Sequence, residues 1–116
     1  MQKAIMTHGL FITAITVALV AIPHVARAQD AKHGQAVYAA QKCSVCHAIA
    51  GKGGKASPLD GVGAKLSAAD IKEWIVDPVA SAKKANSTKK PPMPKKYDKL
   101  PAADIDGLVA YMQTLK

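Results

Sequence analysis

The sequence predicts an all-α domain, and three observations predict it. Apolar residues recur at helical spacing in two places, Ile71, Trp74 and Ile75, then Ile105, Leu108, Val109, Met112 and Leu115. No β-rich run lies between them; the intervals are rich in Gly, Pro and Lys instead. Aromatic residues are scarce, with one Phe, one Trp and three Tyr in 116 residues, so a core made of protein alone would be thin. The length suits one small domain, and neither a repeat nor a second domain is visible.

Residues 1–28 read as an export signal. Lys3 gives a weakly positive start, and Leu10 to Ile22 is apolar apart from Thr13 and Thr16. That stretch is shorter than the roughly 20 residues a membrane-spanning helix needs. Pro23 breaks the segment, and Ala26-Arg27-Ala28 places small residues where a signal peptidase reads them, so cleavage is expected after Ala28. There is no twin-arginine pair, which points to the general secretory route and a periplasmic destination. An uncleaved membrane anchor is the alternative, and it would retain Met1. The domain then comprises residues 29–116. Removing the leader takes away Lys3 and Arg27 and no acids, which lowers the formal charge from +8 to +6.

The elements of the mature region follow in order. A first helix is expected from about Asp30, a candidate N-cap, with Gly34 and Tyr38 on one face. Gly34 inside it predicts close approach of another helix. Gly51-Lys52-Gly53-Gly54-Lys55 reads as a flexible loop; without a preceding strand or a Gly-Lys-Ser/Thr ending it is no phosphate cradle. Ser57-Pro58-Leu59 leads into the turn-rich Gly61-Val62-Gly63. Ser67-Ala68-Ala69-Asp70 is a variant capping box opening a helix to about Val76, which Pro78 ends. Ser81 to Lys99 is polar, with seven lysines and Pro91-Pro92-Met93-Pro94 at its centre, and shows no helical stripe. The last helix starts near Pro101, placed at the first helical position, with Asp104 and Asp106 early and Lys116 at the end, an order that suits the macrodipole.

The chemistry lies in Cys43-Ser44-Val45-Cys46-His47, the attachment signature of a c-type haem. Two thiols three positions apart add across the two vinyl groups of one haem, and the turn between them presents His47 to the iron. A haem c bound through Cys43 and Cys46 would supply the apolar volume that the composition lacks. These are the only cysteines, so no disulfide framework exists. A structural zinc site would want four Cys or His ligands, and only Cys43, Cys46, His47 and His33 remain after the leader. A thioredoxin-like pair would need a βαβ surround that is absent.

The candidates for a sixth iron ligand are few. Met112 belongs to the apolar stripe of the last helix and reads as core, and His33 precedes the motif on the first helix, poorly placed to reach the opposite haem face. Met93 lies 46 residues after His47, on a segment stiffened by three prolines, and is the favoured ligand. A thioether there raises the reduction potential. With both axial positions filled there is no open site for a substrate, so the expected role is electron transfer and not enzymatic catalysis. Trp74 has two readings, a core residue or a donor to a haem propionate.

Taken together, Gly34, Tyr38, the Cys43–His47 motif, Pro58-Leu59, Trp74, Met93-Pro94, Leu108 and Tyr111 make the chain resemble a bacterial class I (monohaem) cytochrome c over essentially the whole mature region. That resemblance implies a small fold of three to five helices around one covalently bound haem, with His47 and Met93 as the iron ligands. It implies that the first and last helices cross through Gly34 and Tyr38 against Leu108 and Tyr111. It also implies that the backbone carbonyl of Pro58 accepts a hydrogen bond from His47. Ser57 stands where the family often has Gly, and Pro101 where a Ser or Thr cap is common.

The expected function is a diffusible, monomeric periplasmic carrier of single electrons, whose lysines near Met93 steer it to acidic docking surfaces on redox partners. Two haem propionates would bring its charge to about +4. The alternative is an electron-accepting cytochrome subunit of a periplasmic dehydrogenase or oxidase complex; a ligand sensor or peroxidase would require Met93 off the iron. Nucleic acid is not an expected partner, because no basic-aromatic platform accompanies the charge, and no stable membrane insertion is expected once the leader is gone.

Overall fold

The helices at the two ends of the domain cross each other backbone to backbone, and the rest of the chain packs around that crossing. The computed structural model describes residues 23–116; Lys3 and the apolar stretch from Leu10 to Ile22 lie outside the described residues. Five α-helices follow in order: α1 (Pro23–Ala40), α2 (Val62–Lys65), α3 (Ala68–Val76), α4 (Pro78–Lys84) and α5 (Ala102–Thr114). Short 3-10 turns span Cys43–Val45 and Tyr97–Lys99, and the described residues contain no strand. The fold is all-α, and no described helix is long and apolar enough to cross a membrane.

At the crossing, a Cβ on Gly34 would overlap the carbonyl group of Gly107 and come 2.8 Å from the backbone nitrogen of Leu108. A Cβ on Gly107 would in turn sit 2.9 Å from the His33 ring and 3.1 Å from the Gly34 nitrogen. Two facing glycines therefore let the backbones touch. The expected partner of Gly34 was Leu108; the small residue that makes room is its neighbour Gly107. Beside the crossing His33 Nε2–H donates to Asp104 Oδ1 at 2.8 Å. Val37, Ile71, Ile75, Ile105, Leu108, Val109 and Met112 form the buried core, which bears out Met112 as a core residue.

Several expected boundaries move. The first helix begins at Pro23, so Asp30 lies inside it and cannot be its N-cap. Proline is compatible with a first helical turn, and the alanines that follow favour continuation. Pro101 is the N-cap of α5 and not its first helical residue. Lys116 lies beyond α5, where its Nζ donates to the Gly63 carbonyl at 2.9 Å. Gly61-Val62-Gly63 is more than a turn, because α2 grows from Val62 and ties to the chain end through Gly63 N–H donating to Leu115 O at 2.8 Å.

The capping box on α3 forms in both directions. Ser67 Oγ accepts from the Asp70 N–H at 3.1 Å, and Asp70 Oδ2 accepts from the Ser67 N–H at 3.4 Å and from its hydroxyl at 2.6 Å. These bonds from Ser67 hold the Asp70 carboxyl below its ordinary value. Pro78 does end α3, but it also starts α4, so Ser81 to Lys84 are helical and not linker. Asp77 makes this possible by accepting from the Ala80 N–H at 3.3 Å, and Pro78, fully buried, takes the first helical position.

Replacing Gly34 with Ala tests the crossing. At an unobstructed helical site the change would gain about 1 kcal/mol. Here the new methyl meets backbone that cannot swing away, and a net loss of about 3 kcal/mol is expected in urea unfolding of the holoprotein.

Candidate functional site

The haem motif is built on a single tight turn. α1 ends at Ala40, and Lys42 adopts the left-handed conformation (φ 56°) that reverses the chain. The 3-10 turn then closes through Val45 N–H to Lys42 O at 3.1 Å, Cys46 N–H to Cys43 O at 3.2 Å and His47 N–H to Cys43 O at 3.0 Å. Residues three apart on such a turn share an edge, which sets Cys43 and Cys46 side by side. Both are free thiols, half-buried. Burial pushes the Cys43 thiol above its ordinary value, while its backbone hydrogen bond and then the Lys96 ammonium pull the other way.

The segment after the motif folds back onto it. Gly54 N–H donates to Ser44 O at 2.8 Å, and a Cβ on Gly53 would come 2.9 Å from that same oxygen and overlap the His47 carbonyl. The expected flexible loop is thus packed against the motif, and its glycines are there because backbone meets backbone. Further on, Ser57 N–H donates to Cys46 O at 3.2 Å and Leu59 N–H to Ala48 O at 2.9 Å. Pro58 sits between these donors, at the one position where no N–H is required.

This pairing orients the imidazole. His47 Nδ1 lies 2.8 Å from Ser57 O. A carbonyl oxygen only accepts, so Nδ1 carries the proton and Nε2 presents a bare lone pair, the state a metal ligand needs. The acceptor is Ser57 and not Pro58 as expected; the backbone pairing of 57–59 with 46–48 points the carbonyl before the proline at the ring. Tyr38, on α1, donates its hydroxyl to the His47 backbone carbonyl at 2.9 Å and meets the Tyr111 ring edge-on, with centroids 5.7 Å apart and planes at 73°.

The structure brings Cys43, Cys46 and His47 onto one turn. Met93 is half-buried on a different segment, and the reach of the Lys96 charge to Cys43 links that segment to the motif. Neither Met93 nor Trp74 joins the core, although Leu59, Val62, Leu66, Tyr38 and Tyr111 pack against it. For Trp74 this counts against the core reading. Trp74 lines a hollow of about 200 Å³ together with Leu66, Lys84 and Ser81, whose buried hydroxyl has no partner among the described residues. Large apolar side chains held out of the core, two free thiols on one edge and an imidazole with its outer nitrogen bare are the donor set and surroundings a covalent haem requires. No cluster of three or more His, Cys, Asp or Glu able to hold a metal ion occurs among the described residues.

Sequence reasoning missed Gly107, Ser57 and Lys96. Gly107 was findable, being the one small residue beside Leu108 in the terminal stripe. Ser57 and Lys96 act through a backbone carbonyl and a through-space charge, which leave no mark in residue type.

A small helical domain presenting Cys-x-x-Cys-His in this geometry defines a protein that carries haem covalently. The family described as Cytochrome c matches residues 31–116, and the chain belongs to the cytochrome c family. No curated protein and no solved structure matches it. Membership makes it a haem-based electron-transfer protein.

Tyr38 supplies a test with a pH signature. Burial, reinforced by Cys43 and Tyr111, pushes its phenol up from 10.0 to about 12 in the folded protein. Below the unfolded value both states are neutral; above it the unfolded phenol ionises first, so stability falls as pH rises towards 12. Tyr38→Phe should cost about 1 kcal/mol near pH 8. In urea unfolding that deficit should shrink or reverse near pH 11, because only the wild-type chain pays for the retained proton.

Proposed function

We propose that the protein is a diffusible periplasmic carrier of single electrons whose iron is held by His47 Nε2 and Met93 Sδ. The observation that carries this is the hydrogen bond from His47 Nδ1 to Ser57 O, which fixes the tautomer and aims a basic nitrogen outward. When bound, the haem supplies a one-electron couple. The chain's own part would be to hold it through Cys43 and Cys46, to offer His47 and Met93 to its iron, and to keep those ligands still as charge changes. Met93 fits the second position because it is half-buried, unused by the core, and carried between prolines that limit its backbone. With His47 and Met93 both on the iron no coordination site would be left open, and that is why we read a carrier and not an enzyme.

Export before folding completes the reading. Residues 1–28 act as the leader and are cleaved after Ala28, leaving 29–116 as the working domain. In the intact chain that bond lies within α1, so cleavage acts on the unfolded chain during translocation, before the helix forms.

Free diffusion is favoured over permanent residence in a larger complex by the surface. The large exposed hydrophobics among the described residues are Val45 and Val79, 71% and 64% exposed, on separate elements. A stable subunit interface would want a broader apolar area. Val45 belongs to the motif turn itself, which Lys42 begins, and Lys52 and Lys55 flank the glycines that pack on it. This arrangement suits brief docking on an acidic, partly apolar partner face.

Two outcomes follow. Met93→Ala should lower the midpoint potential on the order of 100 mV, a fraction of the roughly 0.8 V that axial ligands span. Its ferric spectrum should turn high-spin; an unchanged potential in redox titration would assign the sixth ligand elsewhere. Electron transfer with an acidic partner should slow as ionic strength rises, and a salt-independent rate in stopped flow would remove the steering role of the lysines.

A further inference from the structure

We infer that the mature chain begins with a pyroglutamyl residue formed from Gln29. This rests on the cleavage after Ala28 proposed above, which makes Gln29 the first residue. The reaction needs no partner. The freed α-amino nitrogen attacks the side-chain carbonyl carbon Cδ; the N–Cδ bond forms, the Cδ–Nε2 bond breaks, and Nε2 takes the amine proton and departs as ammonia. Nothing is oxidised or reduced.

The structure favours this step at this position. α1 runs unbroken from Pro23 to Ala40, so a chain starting at Gln29 starts inside a helical segment. Its α-ammonium would stand at the positive end of the helix dipole, beside N–H groups that have no acceptor. Ordinary α-amino groups titrate at about 8, and a positive potential lowers that value, which raises the fraction present as the nucleophilic amine. The lactam is neutral and relieves the unfavourable charge. Gln29 is exposed, and no hydrogen bond or ion pair among the described residues holds its side chain away from the chain end.

The consequence bears on the helix crossing. The carbonyl oxygen of Asp30 lies 3.3 Å from where a Gly107 Cβ would stand, so α1 meets α5 one residue after the new terminus. A lactam closes that end to aminopeptidases, which would otherwise trim directly into the crossing. It also leaves Asp30 as an uncompensated acid in the first turn, where the dipole favours it.

The test is the intact mass and amino-terminal sequencing of freshly purified holoprotein, together with Gln29→Ala. The expected wild-type mass is that of residues 29–116 plus one haem, less one ammonia, with no residue released by Edman degradation. Gln29→Ala should show no such deficit and should sequence normally, starting at the new alanine. A wild-type chain starting at Gln29 with full mass and a free amine overturns the inference while leaving the cleavage reading intact. A deficit that persists in Gln29→Ala also overturns it. A terminus at any other residue overturns both.

Discussion

The contact between the Gly34 and Gly107 backbones is the constraint on which the rest depends. It brings two helices from opposite ends of the domain closer than any side chain would allow, and one face of α1 then determines the site. Gly34 and Tyr38 are one turn apart, so the depth of the crossing sets where the Tyr38 ring lands. The ring lies edge-on against Tyr111 of α5, and its hydroxyl reaches the His47 carbonyl. A shift of α1 away from α5 would be felt at the backbone of His47. His33 to Asp104 lies beside the crossing and holds the same pair of helices at their edge; being exposed, it adds little energy of its own.

The motif turn solves a second problem, that of holding three reactive groups still with very little secondary structure. Its carbonyls are nearly all claimed: Lys42 and Cys43 within the turn, Ser44 by Gly54, Cys46 by Ser57 and His47 by Tyr38. The segment from 51 to 59 serves as the other half of the site even though it contributes no ligand. Glycines at 53 and 54 allow it to lie flat on the turn, and Pro58 supplies rigidity where no N–H is wanted. Loss of the bond to Cys43, Cys46 or His47 would free a carbonyl on a half-buried residue, at a cost of about 1–3 kcal/mol.

What could be read from the sequence was whatever depends on residue type and spacing. The cysteines and His47, the capping box at Ser67 and the apolar face of α5 are of that kind, and the structure repeats them. The errors share one cause, which is that backbone geometry carries no residue label. Ser57 accepts from His47 through an atom every residue has, so the choice between Ser57 and Pro58 turned on pairing register. α4 escaped because a short helix of Pro, Ala, Ser and Lys with a single, exposed Val79 has no stripe; its N-cap Asp77 was the available signal. The glycine-rich stretch looked mobile because glycine serves both freedom and close approach, and only the presence of the Ser44 and His47 carbonyls opposite it decides between them.

The same economy governs charge. Most of the carboxylates are engaged inside the domain: Asp60 accepts from Ala50 N–H, Asp70 closes the capping box, Glu73 and Asp77 meet Lys84 and Lys95, and Asp104 and Asp106 meet His33 and Lys72. These contacts are exposed and solvent-screened, so stability is a poor account of them. Their larger effect is on where positive charge is left over. Lys84 and Lys95, both within the basic segment from Ser81 to Lys99, are partly neutralised by Glu73 and Asp77. Among the described residues Lys83, Lys89, Lys90, Lys96 and Lys99 of that segment have no ion-pair partner, and neither do Lys42, Lys52 and Lys55 beside the motif turn. Surface fields fade within about 8 Å at physiological salt. On the carrier reading proposed above, an acidic partner face would sense most strongly the lysines that no carboxylate offsets, those beside the motif turn among them.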